Sequence, residues 1–501
     1  MSSLWIQTTD NMGSYEKLEK DIETEVCIIG GGMVGLTTAY YLCKNGYDVT
    51  ILEKDKIGEK TSGNTTAKIT SQHGIFYNYL LNDFGKDFAK KYLKSNEKAI
   101  ENIKQIIDEE KIECDFEYQS NYVYALKTDE LSQIKEEVGA VNLLGGDAKF
   151  IDKTELPFDT LCAIEFKNQA QFHPRKYMLG LCDSITQNGG KIYTNTKVYD
   201  VEKKDGMYAV KTMENTIKCK YVVLASHYPF INMPGFYFAK MYQETSYAIA
   251  VDTKTELFNG MYINVKQPIY SFRTAEYNGK KILILAGSNH KTGEAIENNK
   301  NYEDLEKKAK EIYPEAEILF RWNTRDCISL DKVPYIGEFS KFMPNVYVAT
   351  GFKKWGMTTS NVAANIITDK IMGKENKYEE IYNSTRIDLI KNRWEVKNMI
   401  KQTATSEVIE KFKIKEEPIE NIQNDNGAIL KIDGKNVGIY KDTSGNIFAV
   451  KPYCTHLGCM LAWNNLDKTW DCPCHGSRFD YMGKNIYDPA MKDLEIYNID
   501  M

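Results

Sequence analysis

Residues 24–54 read "TEVCIIGGGMVGLTTAYYLCKNGYDVTILEK", and this stretch decides the fold of the larger part of the chain. Its apolar pattern predicts a strand over 25–29, a glycine turn, a helix over about 33–44 and a second strand over 48–52. A strand, a crossover helix and a second strand in this order form a βαβ unit, which builds parallel sheets. We therefore expect an α/β domain around this stretch.

The turn of this unit has the spacing G-x-G-x-x-G, with glycines at 30, 32 and 35. Gly30 and Gly32 let the backbone approach a pyrophosphate, and Gly35 lets the helix pack closely on the strand. Glu53 follows Gly35 by 18 positions (53 minus 35), near the roughly 20 expected for the acid that binds a ribose hydroxyl pair. An ordinary glycine-rich turn is the alternative, but strand, helix and acid together favour a dinucleotide site. An acid at position 53 indicates FAD or NAD rather than NADP.

Length and composition limit the classes of function. With 501 residues, 42% of them apolar and 27% charged, the chain is globular and long enough for roughly three domains. The net charge of −6, with Lys interleaved among Glu and Asp, gives no basic surface for nucleic acid. Because the sequence has no signal peptide and no long apolar window, we expect a soluble cytoplasmic protein without a membrane partner. Seven scattered cysteines without disulfide-framework spacing fit a reducing compartment.

Three later segments bear on the choice of cofactor. The loop "KDKIGEKTSGNTTAKITSQHG" (54–74) is rich in small polar residues, and we expect it to open a helix at about 65–69. The sequence over 190–225 reads as a strand, a three-stranded meander and a buried strand. "PYIG" (334–337) and "ATGFKKWGMT" (349–358) come near the end of the large unit, where a short strand and a glycine turn lead into a helix. A second G-x-G-x-x-G after a strand does not occur, which disfavours a separate NAD(P)H domain.

This order of motifs resembles the D-amino-acid oxidase and glycine oxidase family of FAD-dependent oxidoreductases, over about 22–373. The resemblance implies FAD as the cofactor. It also implies that the N-terminus of the last helix faces the flavin pyrimidine ring, where negative charge gathers on reduction. The FAD-binding positions carried over are Gly30, Gly32, Met33, Val34, Gly35, Glu53, Lys54, Thr61, Ser62, Thr65, Thr66, Ala67, Lys68, Val198, Ala225, Gly337, Gly351, Phe352, Met357 and Thr358.

The fold class expected from these motifs is α/β, a Rossmann-like FAD-binding domain with a mixed-sheet substrate domain, followed by a C-terminal all-β domain. Residues 376–415 are charged, lack glycine and have apolar residues at helical spacing, which predicts a helical linker packed on the flavin unit rather than on a membrane. The expected boundaries are 1–375 for the FAD-dependent unit (FAD-binding about 22–80, 150–240 and 320–373; substrate domain about 81–149 and 241–319), 376–415 for the linker and 416–501 for the last domain.

Substrate contacts are harder to place. Family members that oxidise amino acids usually have an Arg before the "P-x-I-G" turn, where it clamps the substrate carboxylate. Arg325 lies in that segment with a different spacing and could instead pair with Asp326, and Arg273 in "YSFRTAEYNG" is an equal candidate. Lys68 could lie near the flavin and tune it, with a surface position as the alternative. Arg273, Arg325 and Lys68 are the predicted catalytic residues, because hydride transfer to a flavin needs mainly substrate positioning.

The C-terminal segment ends in two cysteine-rich stretches. Short alternating runs before them, separated by the turn signals "DGKN" and "TSGN", predict a small antiparallel β module. "CTHLGC" (454–459) and "CPCHGS" (472–477) then place Cys454, His456, Cys472 and His475 in the patterns C-x-H and C-x-x-H. Two thiolates and two imidazoles suit a 2Fe-2S cluster whose irons have different ligands. The same four donors also suit zinc, which stays the alternative metal.

This arrangement resembles the Rieske 2Fe-2S domain, and the flanking glycines favour that interpretation over zinc. In Rieske proteins of the cytochrome bc type a further cysteine pair joins the two cluster loops, so the resemblance implies a disulfide between Cys459 and Cys474. Ser477 matches the position that donates a hydrogen bond to a bridging sulfide, whereas Phe479 stands where high-potential members have Tyr. Because loss of a donor to sulfur lowers the potential, we expect a value within about −150 to +300 mV but below the respiratory-chain members.

The motifs together predict an oxidoreductase in which a small amine or amino acid gives a hydride to FAD. The electrons would pass through the Rieske cluster to an external electron carrier or acceptor. The reverse flow, from the cluster to a flavin that reduces a substrate, stays open. A redox sensor or electron-transfer protein that converts no metabolite is the alternative from another class. A Rieske oxygenase is disfavoured, since no mononuclear iron motif follows the cluster.

Overall fold

The computed structural model describes residues 2–9, 12–293, 300–386, 414 and 417–499. Elements are numbered along the chain. Among the described residues, no helix is both long and apolar enough to cross a bilayer. The helices are α1 Leu4–Gln7, α2 Met33–Lys44, α3 Tyr77–Phe84, α4 Lys86–Glu110, α5 Leu131–Leu143, α6 Pro174–Gln187, α7 Lys300–Ile312, α8 Gly356–Ile371 and α9 Glu379–Tyr382.

An eight-stranded sheet forms the centre of the dinucleotide half. Its strands are β1 Ile22–Ile29, β2 Val49–Leu52, β7 Lys191–Tyr193, β8 Val198–Lys204, β9 Met207–Thr212, β10 Thr216–Leu224, β16 Tyr335–Glu338 and β17 Val346–Thr350. The order is β16-β17-β10-β1-β2-β7, and β9 extends from β10 with β8 beyond it. Since α2 crosses over between β1 and β2, these two strands run parallel, as the βαβ motif predicts. Helix α2 packs against α6 and α8.

A nine-stranded mixed sheet forms the other half. Its strands are β3 Lys68–Ile69, β4 Glu117–Ala125, β5 Ala148–Ile151, β6 Cys162–Gln171, β11 Met241–Asp252, β12 Met261–Asn264, β13 Tyr270–Tyr277, β14 Lys280–Lys291 and β15 Glu317–Ser329. The order is β15-β11-β14-β13-β12-β4-β6-β3, with β5 beside β6. Only β4 and β12 pair in parallel among the described strands of this sheet. Strands β11–β14 lie within residues 241–291, in the segment where the sequence predicts part of the mixed-sheet substrate domain.

The helix expected at 65–69 is wrong. Lys68 and Ile69 form the short strand β3, which pairs with Ala170 and Gln171 of β6. A tertiary partner therefore decides the conformation of this segment, since its sequence has no strong preference of its own. Within the described residues, the next helix after α2 is α3, which begins at Tyr77.

The C-terminal part is a small antiparallel β module, as predicted from its turn signals. One sheet contains β18 Asn426–Ile432, β19 Lys435–Lys441 and β20 Ile447–Val450; the other contains β21 Ala462–Asn464, β22 Thr469–Asp471, β23 Arg478–Asp480 and β24 Asn485–Tyr487. Gly434 and Gly445 have φ angles of 74° and 88° in the two hairpin turns, a conformation that favours glycine.

Most of the predicted linker lies outside the described residues. Of the segment 376–415 the structure describes 376–386 and 414, and this part contains α9. The helix expected from the apolar spacing over 387–400 falls on residues that are not described. The predicted domain boundaries therefore stay a prediction.

Candidate functional site

Three glycines fix the turn between β1 and α2. Gly30 has φ 116°, and a Cβ there would lie 2.5 Å from the carbonyl oxygen of Ala225. A Cβ on Gly35 would lie 2.0 Å from the carbonyl oxygen of Gly30, so only glycine permits this helix-to-strand contact. Gly32 caps α2 without a side-chain hydrogen bond. The first turn of α2 therefore presents backbone N–H groups and the positive end of the helix dipole to the adjacent cavity.

The carboxylate of Glu53 is held at the end of β2. Its Oε2 accepts a hydrogen bond from Gly31 N at 2.7 Å, and its Oε1 accepts one from Asp55 N at 2.9 Å. Burial raises the pKa of Glu53, while these two backbone bonds lower it. Each carboxylate oxygen has a further lone pair. Glu53 therefore has the position and the spare acceptors that a ribose hydroxyl pair requires.

A single cavity of about 660 Å³ runs from this turn to the nine-stranded sheet. Its lining includes both the glycine turn with Glu53 and the segment 349–357 before and at the start of α8, the two regions where the sequence predicts the ends of FAD. Four of the predicted FAD-binding residues do not line this cavity: Gly35, Ala67, Gly337 and Thr358. The predicted residues that do line it are Gly30, Gly32, Met33, Val34, Glu53, Lys54, Thr61, Ser62, Thr65, Thr66, Lys68, Val198, Ala225, Gly351, Phe352 and Met357.

Lys68 lines this cavity from β3, not from a helix. Its Nζ donates hydrogen bonds to the carbonyl oxygen of Tyr262 at 2.8 Å and to Ser271 Oγ at 2.5 Å. Burial, followed by the charge of Arg273, lowers the pKa of Lys68 well below its ordinary value. The predicted surface alternative for Lys68 is therefore wrong, whereas a role near the flavin stays a prediction.

Arg273 does not line the cavity. Its guanidinium donates to the carbonyl oxygens of Thr66 and Ala67 at 2.9 and 2.8 Å, and it lies 5.2 Å from the ring centre of Trp5. These contacts hold the segment that leads into β3. The structure thus gives Arg273 a positioning contact with the cavity wall, and it does not form the expected carboxylate clamp.

Arg325 is directed toward the C-terminal module. Its Nη2 donates to Asp467 Oδ2 at 3.0 Å, its Nη1 donates to Asn323 Oδ1 at 2.7 Å, and its guanidinium lies 4.9 Å from the ring centre of Tyr487. Among the described ion pairs it does not pair with Asp326, the neighbour suggested by the sequence, and its contact with the cavity lining is the ring of Tyr487. The expected clamp role of Arg325 is therefore replaced by an interdomain ion pair.

The cluster motif lies on two loops of the C-terminal module. Cys454 and Cys472 are buried, and the rings of His456 and His475 have centres 4.9 Å apart. The Nδ1 atoms of both histidines are buried and have no hydrogen-bond partner within the part of the chain that the structure describes. Two thiols and two uncommitted imidazole nitrogens are the donor set that a Rieske cluster needs.

A disulfide between Cys459 and Cys474 joins the two cluster loops, so the pair implied by the sequence resemblance is bonded. Ser477 Oγ accepts a hydrogen bond from Ala490 N at 3.0 Å. Because a hydroxyl both accepts and donates, its hydrogen can still be given to sulfur. Phe479 is fully buried in the same small core. Its ring offers no donor at that position.

The cluster loops face the FAD-binding half. His456 Nε2 and Asn232 Oδ1 are 2.6 Å apart, and Gln243 Nε2 donates to the carbonyl oxygen of His475 at 2.8 Å. The ring centre of Phe238 lies 6.1 and 5.9 Å from those of His456 and His475. The histidine side of the cluster motif is therefore docked on the chain's own flavin unit.

The C-terminal module also reaches the dinucleotide cavity. Tyr487, Asp488 and Met491 form part of its lining. Lys54, next to Glu53, binds Asp488 at 3.2 Å. One module thus contacts both Lys54, beside Glu53, and Gln243 of the nine-stranded sheet.

Sequence reasoning missed four polar residues of the cavity wall. Glu244, Ser246 and Lys354 were not singled out, and Asp326 was considered only as a partner of Arg325; all four line the cavity. Alternation along β11 and β15 was the signal that could have found the three strand residues, because every second side chain faces the same side. Lys354 lies in a loop, and only the tertiary structure brings it there.

Comparisons with known proteins agree with this geometry. Residues 25–370 match the family model of FAD dependent oxidoreductases (DAO), and residues 413–498 match the Rieske [2Fe-2S] domain. A Bacillus subtilis protein named for a Rieske 2Fe-2S iron-sulfur centre, YhfW, is 37% identical over 496 residues, which cover 99% of this chain and 97% of the relative. The gamma-glutamylputrescine oxidoreductase of Escherichia coli is 21% identical and covers 76% of this chain and 91% of its own length.

Solved structures support the same fold. Glycine oxidase from Geobacillus kaustophilus superimposes with a TM-score of 0.62 at 17% sequence identity, over 73% of this chain and 99% of the oxidase. The similarity therefore extends over the whole of that enzyme and leaves the C-terminal module of this chain as an addition. The two family matches imply FAD and one 2Fe-2S cluster as cofactors.

Proposed function

Because the chain belongs to the family of FAD-dependent oxidoreductases and carries a Rieske domain, we propose that it oxidises a small amine or amino acid and delivers the electrons through its own cluster. The relatives support the substrate class, since one is named for gamma-glutamylputrescine and another for glycine. An external electron carrier or acceptor would complete the reaction. This direction of electron flow is part of the proposal.

The docking of the histidine loop on the flavin unit is the observation that carries the proposal. Asn232, Phe238 and Gln243 contact the two histidines directly. An imidazole ligand that is covered by the flavin unit can exchange electrons within the chain without a diffusing partner. A second copy or a separate carrier is not required for the first transfer.

The chemistry that FAD supplies when bound is that of a hydride acceptor, and the cluster supplies single-electron transfer. The substrate loses a hydride from the carbon next to nitrogen and one proton from nitrogen, and the resulting imine is hydrolysed by water. Two electrons therefore leave each substrate molecule, and the external acceptor takes them one at a time. The chain's own residues bind the substrate, exclude water and hold the carbon in position.

Anaerobic mixing of the holoenzyme with a panel of amines and amino acids tests this function. We expect the flavin absorbance to bleach first and the electron paramagnetic resonance signal of the reduced cluster to grow afterwards. If every amine and amino acid leaves the flavin unchanged while reduced methyl viologen reduces both cofactors, the dehydrogenase function is wrong. The electron-transfer or reductase function would then replace it.

A further inference from the structure

The cavity face of β11 and β15 has an unusual pair of acids. Glu244 and Asp326 lie directly opposite each other in the register of the two antiparallel strands. Directly opposed side chains of one sheet face have Cβ atoms about 4.5–5.5 Å apart, and like charges at such positions repel. Both residues line the large cavity. A cation is therefore needed to hold this arrangement together.

Lys354 supplies one positive charge for the two acids. Its Nζ lies 3.3 Å from Glu244 Oε2 and 3.3 Å from Asp326 Oδ2, and it donates to Ser246 Oγ at 2.6 Å. With both acids ionised, the three charged groups carry a net charge of −1. The Lys354 side chain remains 32% exposed, so a ligand cation can approach the same carboxylates or take the place of its ammonium.

Two other polar atoms on this face lack a hydrogen-bond partner among the described residues. Trp322, Thr324 and Asp326 are alternate residues of β15, and the first two oppose Ala248 and Ser246 of β11. Trp322 is 1% exposed and lines the cavity. Its Nε1 and Thr324 Oγ1 have no hydrogen-bond partner among the described residues. Because buried polar groups are normally paired, these atoms indicate that a polar ligand completes the face. The indole N–H can only donate and needs an acceptor, such as the lone pair of the unprotonated reacting amine, whereas the Thr324 hydroxyl can also accept from an ammonium.

Among the described residues that line the cavity there is no arginine to clamp an α-carboxylate. A bidentate clamp requires a guanidinium, but Arg325 binds Asp467 on the opposite side of β15. Lys353 is another cation in the cavity wall. It lies 4.9 Å from the ring centre of Phe76, and burial lowers its pKa to about 8. If Lys353 decided the preference, a ligand with a carboxylate would bind best, so a carboxylate-bearing amine such as glycine is a necessary member of the test.

We propose that Glu244 and Asp326 form a cation subsite that selects an amine substrate with a second positive charge, such as an aliphatic diamine, over an amino acid held by its carboxylate. This inference rests on the proposed function. The second ammonium of the substrate binds the acid pair, and the reacting amine remains free to lose its proton. The chain would thus recognise the end of the substrate that does not react.

Substrate preference gives the first test. The holoenzyme is mixed anaerobically with 1,4-diaminobutane, n-butylamine or glycine, and flavin bleaching is followed. We expect kcat/KM for the diamine to exceed that for the monoamine by about tenfold or more, the value of a charge-assisted hydrogen bond. Equal values for the two amines, or a preference for glycine, would overturn the proposal.

A binding measurement gives a readout independent of turnover. Guanidinium has no C–H bond and cannot give a hydride, so its Kd can be measured by calorimetry at constant ionic strength. We expect Asp326→Asn to weaken guanidinium binding about tenfold and Lys354→Gln to strengthen it, because the latter removes the competing ammonium. Glu317→Gln is the matched control: Glu317 lies on the same β15 but pairs with exposed Lys254.

The variants Asp326→Asn and Lys354→Gln distinguish a cation subsite from a purely structural role of the acid pair. If both weaken guanidinium binding, or neither changes it, the acid pair does not form a cation subsite. If guanidinium binding follows the expected pattern but none of the amines bleaches the flavin, the subsite stands and the proposed function fails. If both amines are oxidised equally and Asp326→Asn leaves their ratio unchanged, the proposed function stands and the subsite fails.

Discussion

The side chains on the two faces of the β11–β15 strand pair contact different parts of the molecule, although the same backbone hydrogen bonds join the two strands. Glu244, Ser246 and Asp326 face the cavity, whereas Gln243 and Arg325 face the Rieske domain. The cavity face contains charged groups around open space. The domain face is filled by ion pairs and close contacts. At this strand pair the acids of the cavity and the contacts of the Rieske domain are on opposite sides of one sheet, although Tyr487, Asp488 and Met491 of that domain line the cavity elsewhere.

The difference also explains why adjacent residues have unrelated roles. Arg325 and Asp326 are sequence neighbours, but successive side chains of a strand point to opposite faces. Arg325 therefore belongs to the interface between domains, and Asp326 belongs to the cavity. A register shift of one residue would exchange the two roles, so the pairing of β11 with β15 fixes both sites together.

Loss of a cluster ligand should have the largest effect. We expect Cys472→Ala to abolish the paramagnetic signal of the cluster and the reduction of an external acceptor. FAD binding should persist, because the glycine turn and Glu53 remain intact. Metal analysis, flavin absorbance and acceptor reduction measure the three properties. Cys162→Ala is the control, since Cys162 is also buried but lies on β6. Retention of the cluster in the Cys472 variant would contradict the ligand assignment.

Breaking the interdomain ion pair should have the next largest effect. Arg325→Met leaves Asp467 with Arg478 as its remaining cationic partner. We expect a loss of at most about 3 kcal/mol, the lower end of the cost of breaking a buried pair. Scanning calorimetry should show the loss as an earlier unfolding transition. Arg321→Met removes an exposed Arg of the same strand that pairs with half-buried Glu306, and it should cost less than about 1 kcal/mol. Equal effects of the two variants would argue against this interface.

A smaller effect is expected at the end of β14, where Gly293 has φ 85° and a Cβ would lie 2.3 Å from Pro473 Cα. Gly293→Ala should therefore strain the docked state by about 1–3 kcal/mol and lower its population about fivefold or more. Rapid mixing should show slower reduction of the cluster after the flavin, with both cofactors retained.

Gly279→Ala is the matched control for this substitution. Gly279 lies in the turn before the same strand with φ 73°, but a Cβ there has no neighbour within 4 Å. Both substitutions place Ala in a positive-φ conformation and cause similar backbone strain. Only Gly293→Ala adds a clash with the cluster loop. Unchanged transfer in the Gly293 variant would mean that the docked contact does not carry the electrons.

The smallest effect is expected at Phe479. A hydroxyl added by Phe479→Tyr should donate to a sulfur of the cluster and raise its potential. A hydrogen bond of about 1 kcal/mol corresponds to about 40 mV for one electron. A redox titration followed by electron paramagnetic resonance measures the shift, with Phe479→Leu as the control for lost packing. A lower potential in the Tyr variant would contradict the expected hydrogen bond.

The cluster motif shows that a short sequence pattern can identify the ligands of a cofactor. Cys454, His456, Cys472 and His475 lie within 22 positions (454 to 475) on two short loops. Their spacing alone limits the chemistry, because few cofactors accept two thiolates and two imidazoles. The ligand assignment needs no knowledge of the rest of the fold. The glycine turn and Glu53 are equally local, which is why both were found.

The sequence by itself therefore determined the βαβ unit, the FAD family, the β module and the cluster motif, since each depends on residues close together along the chain. Only the tertiary structure decided that Lys68 lies on a strand, that Arg325 binds Asp467, and that Asp326 faces Glu244 across two strands. These contacts join segments that are far apart in sequence. Their formation depends on sheet register and domain docking, which no single stretch of residues encodes.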